Sequence, residues 1–596
     1  MLQKLKSLIK TYYKPFLLIF VIYLVAFFTL YRDQYFFADD TARSAIGYDY
    51  SDDFNRISSN IIVHLLQLQP GFLNNIAPFG QIFGFAVLAI TSIFLVYLFA
   101  DKKPSIKRPV PLILSTLLAL MPFMINAWQY QFETPWFAMA LLMVTLPYVL
   151  FWQKTPSLRL VFSNSGKPTP RLHLDENLVS FFKILMITTL CNIFVWTSWQ
   201  ISTGVFLTIG LALIFRDIIR KKKLPWSDII TFIIAYILAT IFAYITTLGM
   251  HSYVDTSMFP LMELPAGVIR NIGYVLNIIL NSFNGVWLIL GILSIIGLFI
   301  INRFRTILFS IFYFVIAFPI SIGPCLTLQI YHINARSLVG PVVTFTILIL
   351  VLISTIHVAS PIKTLRLRLR PLLLAPIFLL LYSFITYSWS YGNALTDQHR
   401  YEETRISMLA HDLAELYPTE NLDKYIVVID GSIGLSPFMV NHFSSYPISS
   451  FVFFNYMTGL SPNNLSYARL QNYYGRPQIN TFSNPTDDSI YAFSCSQLHA
   501  IGLTETYKNF YYTISDTRNS SSDVFPYNPR QLIKDAENLT DEDIAAYNLT
   551  IKDFAVCVEL NPEAKSFGSD QITIYDGQLV QKDFDPRMHD NEQLNP

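Results

Sequence analysis

Charge is what this chain has least of. Only 14 % of its 596 residues are Asp, Glu, Lys or Arg, against about 25 % in an ordinary soluble protein. With 53 % hydrophobic residues and a mean hydropathy of +0.41, one water-soluble globule is excluded, because too little polar surface exists to cover it. Cysteine is also scarce. The four Cys form no CxxC and no Cys/His spacing of a zinc site, so a disulfide-dense scaffold and a structural zinc module are both excluded. Cys191 and Cys325 sit in or beside apolar runs and read as small buried hydrophobes. Cys495 and Cys557 are the remaining pair, and a disulfide between them is left open. There is no internal repeat and no low-complexity run. No basic stripe interleaved with aromatics lies outside the short loops between apolar segments, which argues against nucleic acid as a partner.

What charge there is divides sharply. Residues 1–390 hold 29 Lys and Arg against 14 Asp and Glu, a net +15, whereas residues 391–596 hold 13 against 27, a net −14. Two solvents are implied, a bilayer for the first part and water for an acidic tail. A membrane span needs about 20 apolar residues. That rule places eleven helices near 15–32, 78–100, 109–127, 134–152, 178–199, 201–219, 227–249, 276–301, 306–324, 338–358 and 371–390. Lys4, Lys6, Lys10 and Lys14 precede the first, and no small-residue cleavage site follows it, so it reads as an uncleaved helix with a cytoplasmic N-terminus. The alternate loops 1–14, 101–108, 153–176, 216–223, 303–305 and 363–370 carry 23 Lys and Arg, whereas the others carry only Arg32, Arg43, Arg56, Arg270 and Arg336. This positive-inside bias sets the orientation. An odd number of spans then leaves residues 391–596 outside. Pro122, Pro147, Pro319 and Pro376 fall within spans as candidate kinks, and residues 250–275 read as a re-entrant or interfacial segment.

The tail opens with an amphipathic helix over 397–417, with Ile406, Leu409, Leu413 and Leu416 on one face. Strands are expected at 425–430, 554–560 and 571–575, a helix at 530–539, and a hairpin turn at Asp576-Gly577 into 578–582. The expected fold is therefore a polytopic α-helical membrane protein. Its domains are residues 1–390 in the bilayer and 391–596 as an extracytoplasmic α/β domain.

The chemistry-bearing residues lie on the outer side. Residues 36–56 pack five Asp and two Arg directly after the first span. The adjacent carboxylates Asp39 and Asp40, near Arg43, could take a proton from a hydroxyl and hold a hard divalent cation. The competing readings are that Asp40 merely caps a helix starting at Thr41, or that the loop is a solvated acidic patch. Asp49, Asp52 and Asp53 read as solvated. Outward arginines near a bilayer need a reason. A phosphate suits Arg43, Arg56 and Arg336, because guanidinium forks match its oxygens, whereas Arg270 could equally snorkel to the interface. Glu133 is the one acid in the aromatic loop 128–136, and His332 lies beside Arg336. Tyr and Trp in that loop could stack on a sugar or form the interfacial belt.

Asp39-Asp40-x-x-Arg43-x-x-x-Gly47 after the first span, Arg56 before a Leu-rich segment, the 130–139 pattern, Asn334-Ala-Arg336 and Asn393-Ala-Leu-x-x-Gln398 together resemble the bacterial Gtr type-II glucosyltransferases that modify O-antigen and other surface glycans. The likeness covers roughly residues 1–450. It departs at Asn55, where a Gly commonly precedes the Arg, and in lacking a Trp within 48–54. The resemblance implies a GT-C-like fold and transfer of a hexose, glucose foremost, from a polyprenyl-phosphate donor to a surface polysaccharide at the outer face of the cytoplasmic membrane. It implies a separate flippase and a donor-synthesising enzyme as partners. Asp40 and Asp39 become base or ligands of a divalent cation (Mg or Mn), with no other cofactor. Arg43 and Arg56 would line the donor phosphate site, and Glu133, His332 and Arg336 complete the expected substrate contacts. A polysaccharide polymerase or ligase, a lipid-linked-sugar transporter, and a scaffold or receptor without chemistry are the alternatives.

Overall fold

The computed structural model describes residues 2–33, 35, 40, 43, 55–69, 73–100, 102–153, 176–220, 222–247, 258–302, 304–329, 333–355, 363–416, 425–431, 435–453, 511–514, 549–552, 554–560 and 572–577. It is a bundle of apolar helices. In chain order these are α1 (Leu2–Ala26), α2 (Phe28–Arg32), α3 (Ile57–Gln67), α4 (Phe79–Leu95, continued by a π turn to Ala100), α5 (Pro109–Ser115), α6 (Leu117–Leu120) and α7 (Ile125–Trp128). Next come α8 (Thr134–Phe151), α9 (Glu176–Trp196), α10 (Thr203–Ile219), α11 (Trp226–Thr247), α12 (Leu264–Ser282), α13 (Gly285–Ile301) and α14 (Phe304–Ile322). The last are α15 (Val339–Thr355), α16 (Lys363–Leu416), α17 (Pro437–Ser445) and α18 (Ile448–Phe453).

Among the described residues eight helices are long and apolar enough to cross a bilayer, or up to ten if two bent pairs each count as one span. Ile233, Ile237, Leu293, Ile296, Phe312 and Val315 are exposed on α11, α13 and α14. Water would not tolerate this apolar surface, but lipid does. The chain is a polytopic helical membrane protein. Its middle is α15, whose apolar window is 83 % buried, whereas that of α11 is 28 % buried and forms an outer wall.

Only one of the four expected proline kinks is a break. Pro122 opens a short 3-10 turn where the α5–α6 segment bends by 51° into α7. Pro147, Pro319 and Pro376 lie inside unbroken α8, α14 and α16. The expected span 276–301 is corrected. Its first residues belong to α12, which meets α13 at 110°. Phe283 turns extended between them, and Asn284 caps α13 by accepting the Trp287 backbone N–H at 2.9 Å. A second departure lies at the expected border between residues 390 and 391. The helix does not stop there, because α16 runs 54 residues and absorbs the amphipathic segment read as separate.

Beyond it, β1 (Tyr425–Gly431) pairs in parallel with β4 (Phe554–Leu560), which pairs antiparallel with β5 (Ile572–Gly577). Asp576 and Gly577 are not a turn: they extend β5 opposite Val556 and Ala555. A second pair, β2 (Tyr511–Ile514) and β3 (Leu549–Lys552), was not foreseen. The expected helix 530–539, the strand 578–582 and Cys495 lie outside the described residues.

Helix crossings are tight where a glycine allows it. In lipid, close backbone approach replaces the hydrophobic drive of water. A Cβ on Gly204 would sit 2.5 Å from the Ser321 carbonyl oxygen, and one on Gly340 would fall onto that same oxygen. Gly291 has open space. Gly340→Ala is therefore expected to cost about 1–3 kcal/mol through overpacking, read as a lower thermal transition of the detergent-solubilised protein. Gly291→Ala should leave that transition in place. Equal behaviour of the two would contradict this packing.

Candidate functional site

The site forms at the end of the bundle where α8 begins. Pro135 supplies a preset φ in the first turn of α8, and Thr134 closes the entry by donating its hydroxyl to the Tyr130 carbonyl at 2.6 Å. Gly84 lets α4 run against the Thr134 backbone. Glu133 is thus held at the N-cap of α8 with no exposed surface.

Three arginines from three parts of the chain converge on it. Arg43 Nη2 lies 3.1 Å from Glu133 Oε1, Arg56 Nη1 lies 3.6 Å from the same oxygen, and Arg336 Nη1 lies 3.3 Å from Oε2. Rings support them. Arg336 stands 4.4 Å over the Tyr130 ring, and Arg56 stands 5.4 Å over that of Trp136. Both rings are buried, so they brace guanidiniums through cation–π contact and do not form an interfacial belt. Burial pushes the Glu133 carboxyl up, but Arg336, Arg43 and Arg56 together outweigh it and hold the acid below its ordinary range. Glu133 stays ionised.

Asp40 is buried beside this cluster. Its Oδ2 accepts the Gln131 backbone N–H at 2.9 Å, and its Oδ1 accepts that of Phe132 at 3.2 Å. These donors lie across the fold, so the carboxylate pins the turn before Glu133. Burial pushes its pKa up to about 7, against the pull of the two N–H groups and Arg43, and Glu133 adds to the rise. Three guanidiniums face two carboxylates, so the cluster carries one net positive charge with both acids ionised, and two with Asp40 neutral. Such a place attracts an anion.

The remaining expected residues divide. Asp39, His332, Asp49, Asp52 and Asp53 lie outside the described residues. Arg270 is elsewhere, over the Phe259 ring at 4.8 Å, donating to the Gln329 carbonyl at 2.6 Å. Asn55 explains the departure from Gly before Arg56. Its φ is +52°, in the left-handed region that Gly enters freely and Asn tolerates. Its amide also donates to Thr246 Oγ1 at 2.8 Å, fixing the approach of Arg56.

Sequence reading passed over the amides. Gln131 donates from Nε2 to the Tyr35 carbonyl at 3.1 Å and accepts from Asn75 at 2.9 Å. Asn126 accepts the Arg336 backbone N–H at 3.3 Å, and Gln129 accepts the Tyr391 hydroxyl at 2.8 Å. The available signal was three amides within residues 126–131 of an otherwise apolar, aromatic run, since a polar side chain in such surroundings must have a partner.

Replacing Glu133 by Gln keeps its shape and removes the charge that gathers the arginines. Breaking one side of a buried ion cluster costs about 3–5 kcal/mol. The expected result for Glu133→Gln is a marked fall in thermal transition, larger in low salt. A transition equal to wild type would show that the arginines are held by other contacts.

The glucosyl transferase GtrII family matches residues 23–353, the stretch that contains Asp40, Arg43, Arg56, Glu133 and Arg336. No curated protein and no solved structure matches the chain. With more than half of its residues matched, the chain belongs to the GtrII glucosyl transferase family.

Proposed function

We propose that this membrane glycosyltransferase moves a glucosyl unit from a polyprenyl-phosphate-linked donor to a hydroxyl of a surface polysaccharide, at the outer face of a bacterial cytoplasmic membrane. The observation that carries this reading is the buried Glu133 with Arg43, Arg56 and Arg336 around it. A sugar phosphodiester enters with one negative charge. Transfer leaves a phosphomonoester with nearly two, so a net positive, preorganised cluster binds the leaving group more strongly as the reaction proceeds. Arg56 and Arg336 keep 24 % and 13 % of their side chains exposed, against 5 % for Arg43. They are the two that meet the phosphate, and Arg43 tunes Glu133 and Asp40 from behind.

In the step itself the acceptor oxygen attacks the anomeric carbon. The bond from that carbon to the phosphate oxygen breaks, and its electron pair goes to the phosphate. The hydroxyl proton passes to a carboxylate of the Asp39–Asp40 pair. Asp40, with a pKa of about 7, is matched to base work near neutrality. Family membership supports glucose, and the positive-inside pattern supports the outer face. In the full reading, eleven spans place the N-terminus in the cytoplasm and the acidic tail outside as an α/β domain. A separate flippase and a donor-synthesising enzyme supply the lipid-linked sugar, and His332 lines the same site.

Among the described residues the donor set suits a divalent cation poorly. No three His, Cys, Asp or Glu converge there, and guanidiniums dominate the charge around Asp40. The cation's part in stabilising the leaving phosphate is given to arginine.

Comparison of surface glycans from cells making wild type, Asp39→Asn, Asp40→Asn or no protein, at matched membrane expression, tests the reaction. A hexose branch should vanish in the null and in the variant lacking the base, and branches intact in both Asp variants would exclude the acid loop from catalysis. With Asp40 as base, transfer rises as pH climbs through about 7 and levels above it, because the base must be deprotonated. A rate independent of pH across that window moves the base to Asp39. Transfer should survive EDTA with less than about a twofold change, since arginines hold the phosphate. Abolition by chelation, restored by Mg2+, would overturn the arginine assignment.

A further inference from the structure

The site is bounded on its far side by a segment C-terminal to the family match. Helix α17 is capped by Ser436, whose hydroxyl accepts the Met439 backbone N–H at 3.2 Å, and α18 follows directly. Met439, Ile448, Val452 and Phe453 are all buried against the membrane bundle. The edge of Phe451 meets the Phe123 ring at 6.3 Å, and Phe453 lies 6.5 Å from the Tyr35 ring.

Two hydrogen-bonded relays run from this segment to the cluster. In the first, the Val452 carbonyl accepts Asn126 Nδ2 at 2.7 Å, and the other side of the same carboxamide accepts the Arg336 backbone N–H at 3.3 Å. Gln129 also donates to Val452, at 3.4 Å, while its oxygen accepts the Tyr391 hydroxyl. In the second, the Ser436 backbone N–H donates to Gln398 Oε1 at 2.7 Å, and Gln398 Nε2 donates to Glu402 Oε1 at 2.8 Å. That oxygen also accepts the Tyr35 hydroxyl at 3.1 Å. The Tyr35 carbonyl accepts Gln131 Nε2, and the Gln131 backbone N–H ends on Asp40. Asn126, Gln398, Glu402 and Ser436 are each no more than 2 % exposed. In such surroundings a buried amide has few alternative partners, so its two hydrogen bonds fix relative position.

We propose that residues 435–453 act as a clamp that positions Arg336 and the Gln131–Glu133 turn for reaction, with Asn126 and Gln398 as positioning residues. Neither touches the reacting atoms. Asn126 sets where the Arg336 backbone starts, and hence where its guanidinium falls relative to Glu133 and the donor phosphate. Gln398 ties α17 to α16 and, through Glu402 and Tyr35, to the turn that Asp40 pins. The kinetic part of the proposal rests on the reading of the arginine cluster as the donor-phosphate site. The mechanical part does not.

The test uses the full-length protein in lipid nanodiscs, with Asn126→Ala, Gln398→Ala and Ile448→Asp beside wild type. Ile448→Asp leaves both amides in place and lifts the segment away. Amide hydrogen exchange over residues 334–338 and 129–133 is read together with transfer from a polyprenyl-phosphate glucose. Asn126→Ala should speed exchange at 334–338 about tenfold and raise the donor KM about tenfold with little change in kcat, the factor expected from one lost hydrogen bond. Gln398→Ala should act on 129–133 and lower kcat more than it raises KM. Ile448→Asp should reproduce both effects. A merely structural role would lower the amount of folded protein without this split. Unchanged exchange at 334–338 in both Asn126→Ala and Ile448→Asp overturns the clamp, as does faster exchange with unaltered kinetics in an active protein. If wild type transfers nothing from that donor, the donor reading fails, and the clamp is then decided by exchange alone.

Discussion

One carboxylate buried among three guanidiniums sets the terms for this end of the molecule. Removing charges from water costs several kcal/mol per ion, and the return comes only if partners arrive in the right geometry. Glu133 has no exposed surface, so Arg43, Arg56 and Arg336 must each be delivered to it. They come from the segment after α2, from the start of α3 and from the turn before α15. The apolar helices around them can be read as the scaffold that makes this delivery reproducible.

The delivery relies on small, local devices. Asn55 takes a left-handed backbone that a bulkier residue would resist, and Arg56 follows from it. Asn334 accepts the Ser337 backbone N–H at 3.0 Å, which starts the turn that carries Arg336. Asp40 accepts two backbone N–H groups from the turn before Glu133. Each satisfies a polar group that the bilayer-facing bundle could not leave exposed. Together they leave a cluster whose net charge is positive and whose most accessible members are Arg56 and Arg336, an arrangement suited to the proposed lipid-phosphate donor.

Much of this was legible in the sequence, for definite reasons. Apolar runs of span length have few other uses, so Phe79–Ala100, Thr134–Phe151 and Gln200–Ile219 fall within a residue or two of where hydropathy puts them. Arg43, Arg56, Glu133 and Arg336 stood out because charge is rare in loops beside such spans. What pattern could not supply was their mutual geometry. Glu133 was read as a substrate contact, and its ion pairs with Arg43, Arg56 and Arg336 were not anticipated. The 110° corner at Phe283 was missed because the last turns of Leu264–Ser282, from Val275 on, carry no charge and run on in sequence into the apolar helix they abut. The unbroken α16 was divided because its composition changes from apolar to charged near residue 397, and a change of solvent looks like a change of element. Asn126 and Gln131 were overlooked, and Gln398 was noted only as part of a family pattern, because uncharged amides carry no charge pattern, although in a buried setting they are as constrained as ions.

The account stands most directly on where the donor phosphate binds. A cryo-electron microscopy map of the protein in nanodiscs with a polyprenyl-phosphate glucose would locate it. The account predicts phosphate density within hydrogen-bond reach of the Arg56 and Arg336 guanidiniums, above a Glu133 that keeps its ion pairs. Density elsewhere in the bundle, with Arg56 and Arg336 still closed on Glu133, would contradict it.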